Sequence, residues 1–279
     1  MTDLTVRRLL VDLAPPFARR WNGGDAFSSA FFNALSMSFP VGEQFFIDAV
    51  RRGLNGLPLH ERALREAEVQ GFVGQEASHR RLHALFNAQL ERQGFTNWVE
   101  GQARRRVATF EGREPRHWLA ATAAYEHFTA LLAEHLLTHP EQLAGAEPRL
   151  QLLWLWHAAE ESEHKSTAFD LYRANAGSEH WRRRWFFIVT AYFVMDLLQQ
   201  TLRNLWHDRS LFKPATWRGA WRFLFGRTGL LPGIAAGWKD YLRPDFHPTQ
   251  HDSRRADDWL AAHGASLMVI GRAVGATAA

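Results

Sequence analysis

The chain has 279 residues, of which 46% are hydrophobic and 22% are charged. These values are typical of a soluble globular protein with one large domain or two small ones. The sequence has no Cys, which excludes disulfides, iron–sulfur clusters and Cys-ligated zinc and makes a reducing cytoplasm the expected compartment. A net charge of +4 is too small to indicate nucleic-acid binding. The first 21 residues contain no apolar run long enough for a signal peptide.

Helical periodicity dominates the sequence, and no strand-like alternation persists anywhere. Proline opens several of the helical segments and glycine closes others, as expected at helix ends. The predicted helices cover residues 27–55 with a break near Pro40, then residues 59–93, 97–111, 115–139, 148–175 and 181–206.

The last of these helices carries the longest apolar run, from Trp185 to Met195. A membrane span needs roughly 20 apolar residues, so we expect a buried or interfacial helix instead. The wider segment 181–243 contains six Trp and few acidic residues, which is typical of contact with a membrane surface or an acidic partner. An ordinary exposed helical face is the alternative. The basic residues of this segment are Arg182, Arg183, Arg184, Arg203, Arg209, Lys213, Arg218, Arg222, Arg227, Lys239 and Arg243.

The motif Glu-x-x-His occurs three times, as Glu76/His79, Glu114/His117 and Glu161/His164. Side chains three residues apart share a helix face and can reach one metal ion. One copy is weak support, because chance alone produces such pairs in a chain with 14 His and 29 acidic residues. Pro115 places the Glu114 pair at a helix start, and no second Glu is arranged around it, so we set this pair aside.

The other two motifs each have a further Glu one helix earlier. Glu43 precedes Glu76 by 33 residues, and Glu126 precedes Glu161 by 35. The two motifs repeat with an offset of 85 residues, as though a helical hairpin had been duplicated. Two such hairpins predict a four-helix bundle that holds two metal ions. The predicted ligands are Glu43, Glu76, His79, Glu126, Glu161 and His164.

Neighbouring positions on the same helix faces extend this candidate site. Small side chains near Glu126 leave room beside a metal, and the predicted pocket lining is Thr122, Ala123, Thr129, Ala130 and Tyr172. His83 and His157 lie one turn from the ligands and have no counterpart in the other half. We expect His83 to be an extra ligand and His157 to contact a ligand carboxylate; two core histidines are the alternative. Glu160 could replace Glu161 as the ligand, since it lies four residues before His164, but the 85-residue offset favours Glu161.

Carboxylate oxygens with one imidazole per metal suit iron, with manganese as the alternative. Four carboxylates also balance the charge of two divalent ions in a dry core, where unpaired acids are costly.

Three stretches carry a resemblance to known proteins: LSMSFPVGEQFF at residues 35–46, QEASH at residues 75–79 with His83 and Asn87, and WHAAEESEHK at residues 156–165. They resemble the family labelled predicted metal-dependent hydrolases, over roughly residues 25–245. The ligand pattern is similar to that of the ferritin-like di-iron carboxylate superfamily. The resemblance implies an all-α metal protein with a ferritin-like four-helix bundle and additional C-terminal helices. We expect a single helical domain over residues 1–279, with the bundle at 25–176 and the extension at 177–250.

These observations favour an oxidoreductase that activates dioxygen on a small hydrophobic organic substrate. Metal-dependent hydrolysis and a non-enzymatic role in iron handling or oxygen sensing are the alternatives. No nucleic-acid partner is expected. Peripheral contact with the inner membrane face through residues 181–243 and a homodimer are left open, since the sequence does not give the oligomeric state.

Overall fold

The computed structural model describes residues 4–272, and most of them are helical. The prediction of an all-α protein is confirmed at this level. Two short antiparallel strands were not predicted; they are β1 (Thr5–Leu9) and β2 (Leu267–Arg272). The helices are α1 (Ala26–Asn55), α2 (Leu59–Arg92), α3 (Trp98–Ala108), α4 (Pro115–Thr138), α5 (Pro148–His164), α6 (Thr167–Ala174), α7 (Glu179–His207), α8 (Pro214–Phe225), α9 (Leu230–Asp240) and α10 (Arg254–Ala262).

The helices that carry the predicted ligands pack on one another. α1 and α2 form a hairpin, α4 packs against both α5 and α6, and α1 also contacts α4. α2 reaches α5 and α6 across the core. These contacts are compatible with the predicted bundle, whose placement among ferritin-like proteins stays a prediction.

The expected break near Pro40 was wrong, because α1 continues through this proline. A proline inside a helix has no N–H to donate and leaves the carbonyl four residues earlier without its usual partner. Here the Asn87 side-chain amide from α2 donates to the Ser36 carbonyl at 2.9 Å. This bond replaces the missing one and keeps Glu43 on the same helix.

The predicted helix over 148–175 is interrupted after His164, and α5 and α6 are separate helices. At the interruption the Lys165 ammonium donates to the His251 carbonyl and to the Ser253 hydroxyl. The Ser253 hydroxyl donates in turn to the Ser162 carbonyl at 3.3 Å. Contacts with a segment about 90 residues away thus stabilise a turn that local periodicity does not reveal.

β1 lies directly on α2, where two glycines allow a close approach. A Cβ atom at Gly71 would lie 2.6 Å from the Leu4 side chain, and one at Gly74 would lie 2.5 Å from the Val6 side chain. The strand therefore needs glycine at both positions, and it places Arg7 beside the ligand helices.

α7 packs against α1 and α4 and begins the C-terminal extension. By length and composition it is the one helix of residues 4–272 that could cross a membrane, and only 28% of its most apolar window is buried in the protein. It also carries Asp196, which forms an ion pair with Arg106 of α3, and a fully buried Arg182 that donates to the carbonyls of Tyr241 and Arg243. These polar contacts favour a helix that packs on the protein.

Candidate metal centre

The structure brings all six predicted ligands together in the interior. α1 supplies the first carboxylate, α2 and α5 each supply a Glu and a His, and α4 supplies the remaining carboxylate. Every one of these side chains is buried. The His164 Nε2 atom lies 3.1 Å from a Glu76 oxygen and 3.4 Å from a Glu126 oxygen. The His79 Nδ1 atom lies 3.3 Å from a Glu161 oxygen.

The ligand atoms form overlapping groups whose members lie within 4.8 Å of one another. One group contains Glu43, Glu76 and His79, and another contains Glu76, Glu126, Glu161 and His164. Glu76 belongs to both groups. Glu161 also groups with His79 and His157. Glu76 and Glu161 thus connect the groups, and the six side chains together could hold metal ions.

Many polar atoms at this centre have no hydrogen-bond partner among residues 4–272. They are both oxygens of Glu43, Glu76 and Glu126, Oε2 of Glu161, Nδ1 of His79 and Nε2 of His164. Buried polar atoms are normally hydrogen-bonded, and each exception needs an explanation. Carboxylate oxygens and imidazole nitrogens are atoms that coordinate metal ions, so the residues present fit a metal centre.

The electrostatics of these side chains are consistent with this fit. Burial raises the pKa of the Glu43 and Glu126 carboxyls well above their usual range, and neighbouring carboxylates raise it further. Burial alone would lower the pKa of the His79 imidazole, but its contacts with Glu160 and Glu161 raise it to about 10. Protons thus balance the close acids when no cation is present, and metal binding must displace them.

In each ligand histidine, one ring nitrogen contacts a residue from the other half of the repeat. Glu160 Oε2 lies 3.1 Å from His79 Nε2, and Gln75 Oε1 lies 2.9 Å from His164 Nδ1. A partner on the outer ring nitrogen fixes the orientation of a ligand histidine and its proton position. Glu160 therefore supports His79 instead of binding metal, whereas Glu161 has an unpartnered oxygen at the centre.

Arg7 of β1 connects these two supports, and no motif in the sequence indicates this role. Its guanidinium lies 3.3 Å from Glu160 and donates two hydrogen bonds to Glu163, at 2.7 and 2.9 Å. Glu163 also accepts from the Gln75 amide at 2.8 Å. Arg7 therefore contacts Glu160 directly and Gln75 through Glu163, so it helps to position the partners of both ligand histidines.

His83 and His157 form a chain that leads away from Glu161. His157 Nε2 lies 3.0 Å from Glu161 Oε1, His157 Nδ1 lies 2.6 Å from His83 Nε2, and His83 Nδ1 lies 2.9 Å from Ser36 Oγ. Burial lowers the pKa of His157 to about 4 and that of His83 well below its usual value, so both rings are neutral near pH 7. An ionised Glu161 only accepts, so His157 donates to it and His83 donates to His157. The Ser36 hydroxyl beside His83 donates to Asn87 Oδ1 at 2.7 Å.

This chain bears on the predicted role of His83 as an extra ligand, which stays a prediction. Its Nε2 atom is hydrogen-bonded to His157, yet His83 also forms a group of possible metal ligands with Glu43 and His157. We expect His83→Ala to lower the metal content or to change the spectrum of the bound metal. Metal analysis and absorption spectra check this expectation, and unchanged metal content and spectra in His83→Ala would leave His83 as a core histidine.

The remaining predicted residues lie in different parts of the structure. The set-aside pair lies elsewhere: Glu114 pairs with Arg116, and His117 accepts from Trp185. Thr129 lines a cavity at the centre, and Ala130 lines a separate small cavity near Lys165. Of the other predicted lining residues, Thr122 and Ala123 are buried in α4, and the Tyr172 hydroxyl donates to the Ser178 carbonyl.

An apolar cavity of about 350 Å³ extends from Glu43 between α1, α3, α4 and α7. Its lining includes Arg113 and Thr109, which are exposed. A smaller cavity of about 50 Å³ lies on the other side of Phe39 and Thr129, next to Glu161. The large cavity is lined mainly by Phe39, Val41, Phe45, Phe46, Val99, Val107, Phe110, Tyr125, Trp185, Ile188, Val189, Tyr192 and Phe193.

The comparisons with known proteins identify the family. The family described as predicted metal-dependent hydrolase matches residues 5–252, and the chain belongs to it. No curated protein and no solved structure matches the chain.

Proposed function

We propose that this member of the family is a di-iron enzyme of the ferritin-like superfamily that activates dioxygen to oxidise an apolar substrate. The observation that carries the proposal is the donor set of four carboxylates and two imidazoles at the inner end of an apolar cavity. Oxygen-rich donors with one imidazole per metal suit iron or manganese better than the softer metals. Iron bound here would supply the one-electron chemistry that dioxygen requires.

The chain's own residues would orient the reactants and keep water away. Gln75 and Glu160 hold the two ligand histidines in place. The wall next to Glu43 is formed by Phe39, Phe45 and Phe46, which favour an aliphatic or aromatic group over a hydrated one. Exclusion of water also protects reactive species from side reactions.

Metal-dependent hydrolysis is the second candidate, and the comparisons favour it, because the description of the family names this reaction. Two metal ions can lower the pKa of a bound water and polarise the substrate carbonyl or phosphoryl group. Hydrolysis needs water at the metals, however, and the aromatic wall beside Glu43 offers water few partners.

The two candidates differ in their response to oxygen. We expect protein loaded anaerobically with ferrous iron to consume dioxygen when exposed to it, and the Glu161→Ala variant to lose this activity. An oxygen electrode measures the effect directly. If the ferrous protein is indifferent to oxygen, yet the manganese or zinc form hydrolyses fatty-acyl esters, then hydrolysis is the function.

A variant that fills the large cavity tests whether an apolar substrate binds there. Ala103 of α3 lines it away from the ligands, so Ala103→Trp should fill the space while the metal content stays unchanged. We expect apolar additives to stimulate oxygen consumption in the wild type and to have little effect in this variant.

A further inference from the structure

Residues 206–227, which we name the interfacial segment, expose an unusual set of side chains. They comprise the end of α7, the turn that follows it and all of α8. Five large aromatic side chains are exposed here, and Phe212 is 81% exposed. The exposed aromatic residues are Trp206, Phe212, Trp217, Trp221 and Phe225.

α8 has two distinct faces. Its inner face packs on α1, where the Phe223 ring lies 4.9 Å from the Phe31 ring, and Gly219 and Ala220 are buried. On the outer face Trp217, Trp221 and Phe225 recur at intervals of four residues. A helix that is apolar on its outer face as well as its inner one is expected to contact something beyond the protein.

The exposed charges of the same segment are almost all positive. Its one acidic residue, Asp208, is already paired with Arg20 at 2.8 Å. Arg222 comes no closer than 3.9 Å to its acidic neighbour, Asp25. The exposed basic residues are Arg209, Lys213, Arg218, Arg222 and Arg227.

We propose that the interfacial segment docks this protein on an anionic lipid surface. Aromatic rings, Trp above all, favour the headgroup region, and basic residues beside them are attracted to anionic lipid. The charge complementarity favours lipid over a second copy of this chain, because two copies would bring like charges together. The proposal does not depend on the reaction at the metal centre.

Docking would also suit an apolar substrate, a point that rests on the proposed function. Ile188 and Tyr192 of α7 line the large cavity, and Tyr192 is also partly exposed. A protein docked on a bilayer would take up such an apolar substrate from the lipid.

Sedimentation with vesicles tests the proposal through a readout that is independent of activity. We expect the metal-loaded protein to pellet with vesicles that contain anionic phosphatidylglycerol in phosphatidylcholine at low salt. Binding should weaken at about 150 mM salt, where the Debye length falls to about 8 Å. Arg218→Glu/Arg222→Glu and, separately, Trp217→Ser/Trp221→Ser should each lower binding roughly tenfold or more.

Two control pairs replace exposed residues outside the segment. Arg81→Glu/Arg105→Glu matches the charge reversal, and Leu59→Ser/Leu64→Ser matches the loss of apolar surface. We expect both to bind like the wild type, with unchanged circular dichroism in all variants. Absence of the wild type from the pellet at low salt would overturn the proposal. A dimer that dissociates in Trp217→Ser/Trp221→Ser, without vesicle binding by the wild type, would assign the segment to a second copy.

Discussion

Replacing Glu161 by alanine should cost the protein at least one of two bound metal ions. Glu161 belongs both to the group with Glu76, Glu126 and His164 and to the group with His79. A carboxylate shared by two metals has no substitute nearby, because Glu160 is already engaged by His79 and Arg7. Metal analysis of protein expressed with ample iron measures the loss.

The chain supplies its own control for this experiment. Glu114 and His117 repeat the Glu-x-x-His spacing, but they lie away from the centre and contact Arg116 and Trp185. Glu114→Ala/His117→Ala should therefore retain two metal ions. One metal or none in the wild type, or full occupancy in Glu161→Ala, would contradict the two-metal assignment.

In the metal-free protein, replacing the buried Glu126 carboxylate by an apolar side chain should stabilise the fold. Glu126 is fully buried, and both of its oxygens lack a hydrogen-bond partner among the described residues. An unsatisfied buried polar group costs about 1–3 kcal/mol. The metal-free Glu126→Leu protein should therefore unfold at a higher denaturant concentration than the metal-free wild type, although it binds metal poorly.

Spacing in the sequence was enough to predict which acidic and histidine side chains lie together in the interior. Glu76, His79, Glu161 and His164 follow from two motifs with a constant offset, because a helix converts sequence intervals into shared faces. The same offset relates Gln75 to Glu160, and the structure shows why: each residue supports the histidine of the other half. This signal was present in the sequence and could have identified both supports.

Other features depend on contacts that no local pattern encodes. β1 pairs with a strand more than 250 residues away. Its own five residues are too few to show the alternation of apolar and polar residues that predicts a strand. A proline normally ends or kinks a helix. Here the Asn87 side chain of α2 donates the hydrogen bond that Pro40 cannot donate. The interruption after His164 likewise depends on Ser253. In each case tertiary contacts determine a feature that the local sequence does not.

Replacing Arg7 by methionine should both destabilise the protein and weaken metal binding. Arg7 is the cation that faces Glu160 and Glu163, and the Glu160 side chain is fully buried. Removing one partner of a buried ion pair leaves an uncompensated charge, which costs roughly 3–5 kcal/mol. Loss of support behind ligand histidines typically lowers metal affinity 10- to 100-fold.

Arg8→Met is the matched control, because Arg8 is the next residue of the same strand and is exposed. Denaturant unfolding and metal titration of both variants measure the two effects, and we expect Arg8→Met to resemble the wild type in each. The double variant Arg7→Met/Glu160→Gln distinguishes the effect of an unpaired charge on stability from the effect of His79 positioning on metal affinity. It removes one of the two carboxylates that Arg7 compensates, so part of the stability should return, yet His79 loses its anionic support and the metal affinity should stay low. If Arg7→Met binds metal as tightly as Arg8→Met does, then β1 stabilises the fold without positioning the ligands.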